Sequence, residues 1–233
     1  MVKTHLFSDQ LEMWLKSDKP KTIAELETVF GERTFAVLFL LFMALPALPI
    51  PTGGITHIFE IITMIVSLGL VAGRTKIWIP KFLSRRALPK SLIKKLLPLM
   101  MRRVRWFEKH SSHRGAGLIK SRWFRSFAGL CVFGATLGAF LAPAFSGLDT
   151  LPSLGVVSMA IGMIVGDMIL FFAGTLVGAL GTILEITVGA ALYVGLKKLL
   201  KHVTGTELWW VSVIALVVVL AAVICAIKRH KKA

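Results

Sequence analysis

Residues 35–73 read FAVLFLLFMALPALPIPTGGITHIFEIITMIVSLGLVAG, an apolar stretch without a lysine or arginine that proline and glycine cut near its middle. Its first half, Phe35 to Pro51, has 17 residues, the lower limit of the roughly 17–25 a membrane-spanning helix needs. Pro46, Pro49 and Pro51 fall in that half, followed by Gly53 and Gly54. Each proline removes a backbone donor and clashes with a preceding carbonyl, so a straight helix cannot run through them. At membrane depth such backbone persists only where protein or a wet cavity satisfies the freed carbonyls. The stretch therefore predicts a half-helix or re-entrant turn, then a helix from about Ile55 to Gly73.

The rest of the chain repeats the contrast on a larger scale. Of 233 residues, 55% are hydrophobic and 17% charged, against about 25% charged in an ordinary soluble domain. Yet 28 Lys and Arg face 12 Asp and Glu, a formal charge of +16. The cations are segregated: 16 of the 28 lie between Arg74 and Arg125, with Glu108 the single acid there, and residues 34–73 and 126–196 have none. A nucleic-acid binder spreads cations over a soluble fold, whereas cations gathered between apolar runs follow the positive-inside pattern of cytoplasmic loops. Nucleic acid is thereby excluded as a partner.

Five regions follow: an amphipathic N-terminal region (1–33), a first membrane block (34–73), a basic segment (74–125), a second membrane block (126–196), and a final span with a basic tail (197–233). In the first region Leu6, Phe7, Leu11, Trp14 and Leu15 share a helical face, and Thr22 with Glu25 has capping-box spacing before a second helix. The basic segment carries Leu92, Leu96, Leu99, Met100, Val104 and Phe107 at helical spacing, which predicts a helix on the membrane surface, kinked at Pro98. In the second block Pro143, Gly147 and Pro152 separate a span of about 19 residues from a longer run that breaks near Asp167 to Gly174. Leu208 to Ile227 forms a last span ending in Lys228, Arg229, Lys231 and Lys232, which places the C-terminus in the cytoplasm. The expectation is an all-α polytopic protein of the bacterial inner membrane with about six apolar segments. Lys197, Lys198 and Lys201 fit that topology poorly, and re-entrant segments are the alternative.

Pro49-Ile-Pro-Thr52-Gly53 and Pro143-Ala-Phe-Ser146-Gly147 share a Pro-x-x-Thr/Ser-Gly pattern, each between apolar runs of helix length. This points to two related halves, an arrangement in which transporter sites form at broken helices.

The sequence also carries Gly31-Glu32-Arg33 leading into Leu45-Pro46-Ala-Leu-Pro49-Ile-Pro51, then Gly73-Arg74, Trp78-Ile-Pro80, Phe82-Leu83 and Arg86-Ala-Leu-Pro89. Leu151-Pro152-Ser-Leu and Ala160-Ile-Gly162-Met-Ile-Val-Gly166-Asp167 follow in the second half. Across residues 22 to 195 this combination resembles the exopolysaccharide synthesis protein ExoD family of bacterial membrane proteins. The family usually has an acidic-basic pair before the aspartate, where this chain has Val165-Gly166. The resemblance implies an integral inner-membrane protein linked to exopolysaccharide production, without an agreed biochemical activity.

Acids inside apolar blocks are costly and mark function by default. Glu60, Asp167 and Glu185 qualify, with His57 one turn before Glu60. They are either coupling groups or residues at wet helix ends, with Arg33 and Arg74 as candidate partners. The turn residues Pro46, Pro49, Pro51, Thr52, Gly53, Pro143, Ser146, Gly147 and Pro152 either end helices or frame a cavity whose helix N-termini suit an anionic headgroup. Arg74, Lys76, Arg85 and Arg86 form a positive-inside anchor or a phosphate-binding cluster for a polyprenyl-linked sugar. Gly69/Gly73, Gly134/Gly138, Gly162/Gly166 and Gly174/Gly178 have the spacing of helix-packing faces. His110 and His113 lack a third ligand, Cys131 and Cys225 form no metal or redox motif, and the sequence shows no nucleotide, nucleophile or zinc motif. No metal or cofactor is expected.

Three functions fit: binding or translocation of an anionic polyprenyl-type carrier or export intermediate; a non-catalytic assembly or regulatory subunit of a polysaccharide synthase; and a proton- or cation-coupled transporter. The partners are anionic membrane lipids, polysaccharide-synthesis proteins, and a second copy of the chain.

Overall fold

The computed structural model describes residues 7–17, 20–49, 55–77, 97–111, 116–119, 121–142 and 147–203, and the regular elements among them are all helical. The chain divides into two compact units, residues 1–186 and 187–233. The predicted last span lies outside the described residues.

Helix α1 (Phe7–Lys16) buries Phe7, Leu11 and Trp14 on one face, and α2 (Ile23–Phe30) opens on Thr22, whose hydroxyl accepts from the Glu25 amide at 3.2 Å. The Phe7 and Trp14 rings meet Phe30 at 5.0 and 6.4 Å. A 3-10 turn, Gly31–Arg33, leads into α3 (Thr34–Met43), all ten residues of which are buried. It stops where Pro46 has no N–H to continue the helical ladder, after about 15 Å, half of a hydrocarbon core.

Helix α4 (Ile55–Val71) returns antiparallel to α3, with Phe59 stacked on Phe42 and Gly69 against Phe35. Its pattern is inverted relative to a soluble helix. Thr56, Glu60, Thr63 and Ser67 are buried, while Ile58, Ile61, Ile65 and Leu68 are exposed. Thr63 and Ser67 satisfy their hydroxyls on the carbonyls of Phe59 and Met64. Polar residues inside and isoleucines outside suit a helix whose outer solvent is apolar.

The basic segment supplies α5 (Leu97–His110) and the single turn α6 (Ala116–Ile119). Helix α5 does not rest on its apolar face alone, as the sequence pattern suggests. Val104 is fully buried, Arg105 bridges to Glu12 at 2.7 Å and Asp9 at 3.5 Å, and Glu108 accepts from the Ser8 amide. The segment thus docks on α1 through both apolar packing and ion pairs.

Helices α7 (Arg122–Leu141) and α8 (Thr150–Val165), with α9 (Met168–Val203) as far as Ile186, complete the bundle of the first unit. Ser121 caps α7 by accepting from the Phe124 amide. Pro152 lies within the first turn of α8 rather than before it, because a first-turn residue has no intrahelical acceptor to lose. The predicted break falls at Gly166, whose φ of +83° ends α8 in the left-handed conformation. Among the described residues two helical stretches are long and apolar enough to cross a membrane, Arg122–Leu141 and Met168–Gly195; Thr56–Val71 and Thr150–Val165 are shorter apolar helices.

Two hairpins, α3–α4 and α7–α8, form the centre. Each hairpin's first helix packs more extensively on the other's second helix, α4 on α7 and α3 on α8, than on its own partner. This reciprocal packing brings the start of α4 and the start of α8 to one end of the bundle. The close approaches are made by glycine. A Cβ on Gly129 would stand 2.5 Å from the Val71 amide nitrogen, one on Gly155 2.4 Å from Gly178, and one on Gly174 2.5 Å from the Met159 nitrogen. Gly134, expected to pack, faces open space.

Candidate functional site

Antiparallel α4 and parallel α7 and α9 bring the acids together from separate helices. His57 lies edge-on to Phe140 near the end of α7 at 5.4 Å, while Val71 at the other end of α4 meets Gly129. Helix α9 runs parallel to α7, with Phe171 beside Phe124 and Thr182 beside Gly138. It runs antiparallel to α8, so that Gly181 lies against Pro152. The start of α4, the end of α7, the start of α8 and Glu185 of α9 consequently share the Pro/Gly end of the bundle.

Four titratable groups lie at that end. His57 Nδ1 pairs with Glu60 Oε2 at 2.6 Å. Glu60 is fully buried and its Oε1 has no partner. Glu185, 4% exposed, has no partner on either carboxyl oxygen. Asp149, half-buried just before α8, interacts electrostatically with His57, Glu60 and Glu185, and Glu60 with Glu185. Thr136, one turn before Phe140 on the same face of α7, adds a buried hydroxyl without a partner. Three carboxyls and an imidazole at one poorly solvated place need a proton or a cation among them, because uncompensated buried charge is prohibitively expensive.

Asp149 was missed in the sequence because it follows the proline–glycine turn and reads as loop. Its register opposite Glu185 depends on the α8–α9 hairpin. Asp167, in contrast, is brought elsewhere. Its Oδ1 accepts from the amides of Ile169 and Leu170, capping α9, and its Oδ2 accepts from the Ser111 hydroxyl after α5. It occupies the opposite end of the bundle from Glu60 and Glu185. Arg33 and Arg74 also lie at that opposite end, beside the start of α3 and the end of α4, so neither reaches Glu60. The glutamate takes His57 instead.

Of the turn residues, Pro46 is buried, Pro49 is exposed, Gly147 has a φ of +68° and Pro152 is buried against Gly181. Pro51, Thr52, Gly53, Pro143 and Ser146 lie outside the described residues. Arg74 and Lys76 are exposed just after α4, while Arg85 and Arg86 lie outside the described residues. Gly73, with φ of +70°, leaves room for the Arg122 side chain, which a Cβ would meet at 2.9 Å. Next to Arg122, Trp123 is 89% exposed. His110 stacks on Trp106 and turns its Nδ1 to the Trp106 carbonyl, and His113 lies outside the described residues. Among the described residues no group of three His, Cys, Asp or Glu is placed to hold a metal ion.

Outside the membrane-type helices, the clearest electrostatic effect is at Glu12. Hydrogen bonds from Lys16 and then Arg105 hold its carboxyl below the usual range. The same contact raises the Arg105 guanidinium above its own.

Among the described residues the fold and site define a helical bundle of two reciprocally packed hairpins, with Glu60, Asp149, Glu185 and His57 towards one end and Arg74, Lys76, Arg122 and Asp167 at the other, and with two helices long and apolar enough to cross a membrane. The chain belongs to the family described as Exopolysaccharide synthesis, ExoD, whose model matches residues 7–187. Membership implies a role in exopolysaccharide synthesis. An uncharacterized protein of Synechocystis sp. (strain ATCC 27184 / PCC 6803 / Kazusa) is 24% identical over 183 residues, covering 76% of this chain and 84% of that protein. No solved structure matches the chain.

Proposed function

We propose that the chain is a multi-pass inner-membrane protein of exopolysaccharide production, its basic end and C-terminus in the cytoplasm, which binds the anionic headgroup of a polyprenyl-type carrier or export intermediate at that basic end. The observation that carries this reading is the polarity of the bundle. Arg74 and Lys76 leave α4, and Arg122 and Arg125 open α7, at the end away from Glu60, Asp149 and Glu185. The carboxyls make the Pro/Gly turns a poor place for an anion, which moves headgroup recognition from Thr52 and Ser146 to the arginines. Trp123 beside Arg122 suits the headgroup level of a bilayer. Ile58, Ile65, Leu130, Leu154, Phe172 and Leu180, exposed on four different helices, suit its acyl chains.

Binding of polyprenyl phosphate to the purified chain in nanodiscs tests the reading. Each cation near an anionic headgroup contributes about 1 kcal/mol. Arg74→Ala with Arg122→Ala is therefore expected to weaken binding by roughly thirtyfold at low salt. Equal affinity of the wild type and this variant refutes it. The subunit reading draws on the outer face of α5, where Arg102, Arg103, Trp106 and Lys109 are exposed. It predicts that a synthase, rather than lipid, is lost when these four are replaced by serine.

A further inference from the structure

The acid cluster has no part in headgroup binding at the opposite end, and its composition restricts what it can hold. Glu60 has committed one oxygen to His57 Nδ1 at 2.6 Å, which leaves Oε1 buried and unpartnered. Glu185 comes from a different helix, 4% exposed, with both oxygens unpartnered and within electrostatic range of Glu60. A metal ion bound by protein oxygens needs several converging ligands. The described residues contain no such set. A proton needs only a donor and an acceptor.

The neighbouring elements restrict the choice further. Helix α3 brings no titratable side chain, and α7 brings Arg122 and Arg125 only at its far end, with Cys131 along its length. Helix α8 is preceded by Asp149, and α9 contributes Glu185. Thus, among the described residues, the charged groups that interact with Glu60 are His57, Asp149 and Glu185, none of them a lysine or arginine. His57 and Asp149 are each partly exposed, so they connect the buried pair to the surface beside the Pro/Gly turns.

We propose that Glu60 and Glu185, served by His57 and Asp149, form a reversible proton-binding site opening at the Pro/Gly end of the bundle. A proton taken up there adds to a carboxylate oxygen of the pair and leaves by the same groups, with no other bond made or broken. The site stands independently of headgroup binding and of the direction in which the chain crosses a membrane.

Infrared difference spectroscopy between acidic and alkaline buffer, on the full chain in phosphatidylcholine nanodiscs, reads the protonated carboxyl directly. The expected result is a deuterium-sensitive carbonyl band of a dry carboxylic acid. It disappears in Glu185→Gln and in Glu60→Gln, shifts in His57→Gln, and is unchanged in Glu12→Gln. Exchange of choline for Na⁺ or K⁺ at fixed pH leaves it in place. Helical circular dichroism and elution volume show which variants are folded. Should Glu185→Gln not fold, Glu185→Asp is expected to retain the band at a displaced frequency. A band that survives in both folded glutamine variants, or that Na⁺ or K⁺ removes, overturns the proposal; the latter outcome assigns a cation site instead.

Discussion

Replacing Gly155 by alanine inserts one methyl group where α8 and α9 touch backbone to backbone. The new Cβ would stand 2.4 Å from both the Cα and the nitrogen of Gly178, and 2.8 Å from the Gly174 carbonyl oxygen. Ordinary van der Waals contact begins at 3.4 Å, so the helices must part by 3.4 − 2.4 = 1.0 Å. No flexible side chain can yield, because all three atoms are backbone. A gap of that size forfeits a quarter to a half of the dispersion attraction along the seam, and overpacking of this kind costs about 1–3 kcal/mol. At about 2–4 °C per kcal/mol for a unit of this size, the apparent Tm in detergent should fall by roughly 2–12 °C. Gly134→Ala is the control: it is also inside a helix, but its Cβ meets nothing within 4 Å. Helix propensity then predicts a gain of about 0.5–1 kcal/mol. Scanning fluorimetry on the pair decides the matter. A Gly155→Ala protein as stable as wild type, or a Gly134→Ala protein equally damaged, refutes the glycine-seam account.

Asp167→Ala should cost about 1 kcal/mol through loss of the α9 cap, and Asp167→Asn much less, because an asparagine oxygen still accepts from Ile169 and Leu170; amide exchange at those two positions measures the difference. Glu12 has its carboxyl lowered by Lys16 and Arg105, so its contribution is complete above the ordinary glutamate range and is lost as pH falls through the lowered value. Limited proteolysis of α1 should therefore quicken in acid, Arg105→Met should already show part of that susceptibility at neutral pH, and added salt should shrink the difference between them. Ile65→Arg puts a charge on the exposed face of α4, where a bilayer centre penalises it by about 2.5–3.5 kcal/mol; membrane fractionation should show reduced insertion, whereas a water-exposed face would leave the yield unchanged.

The fold was legible where the sequence punctuates itself. Pro46 stopped α3, Gly166 and Asp167 separated α8 from α9, and Thr22 capped α2, because each rule acts within one turn of backbone. The inverted pattern of α4 was also present as Thr56, Glu60, Thr63 and Ser67 at helical spacing, a polar periodicity hidden when the stretch is averaged as apolar. The gathering of the acids was not legible. Glu60, Asp149 and Glu185 come to one end through the antiparallel register of four helices, which long-range packing at Gly129, Gly155 and Gly181 sets. The same register carries Asp167 to the other end, although in sequence it lies closer to Glu185 than Glu60 does. The ion pairs of helix α5 were likewise hidden, since the acids that hold Arg105 lie almost a hundred positions earlier.

The most direct test of the account is the sidedness of the two ends of the bundle in intact cells. Gly147→Cys marks the Pro/Gly end and Lys76→Cys the basic end, each in a chain with Cys131 and Cys225 replaced by serine. With a membrane-impermeant thiol reagent, the account predicts labelling of position 147 from outside and of position 76 only after the membrane is opened. Labelling of both positions from the same side would contradict it.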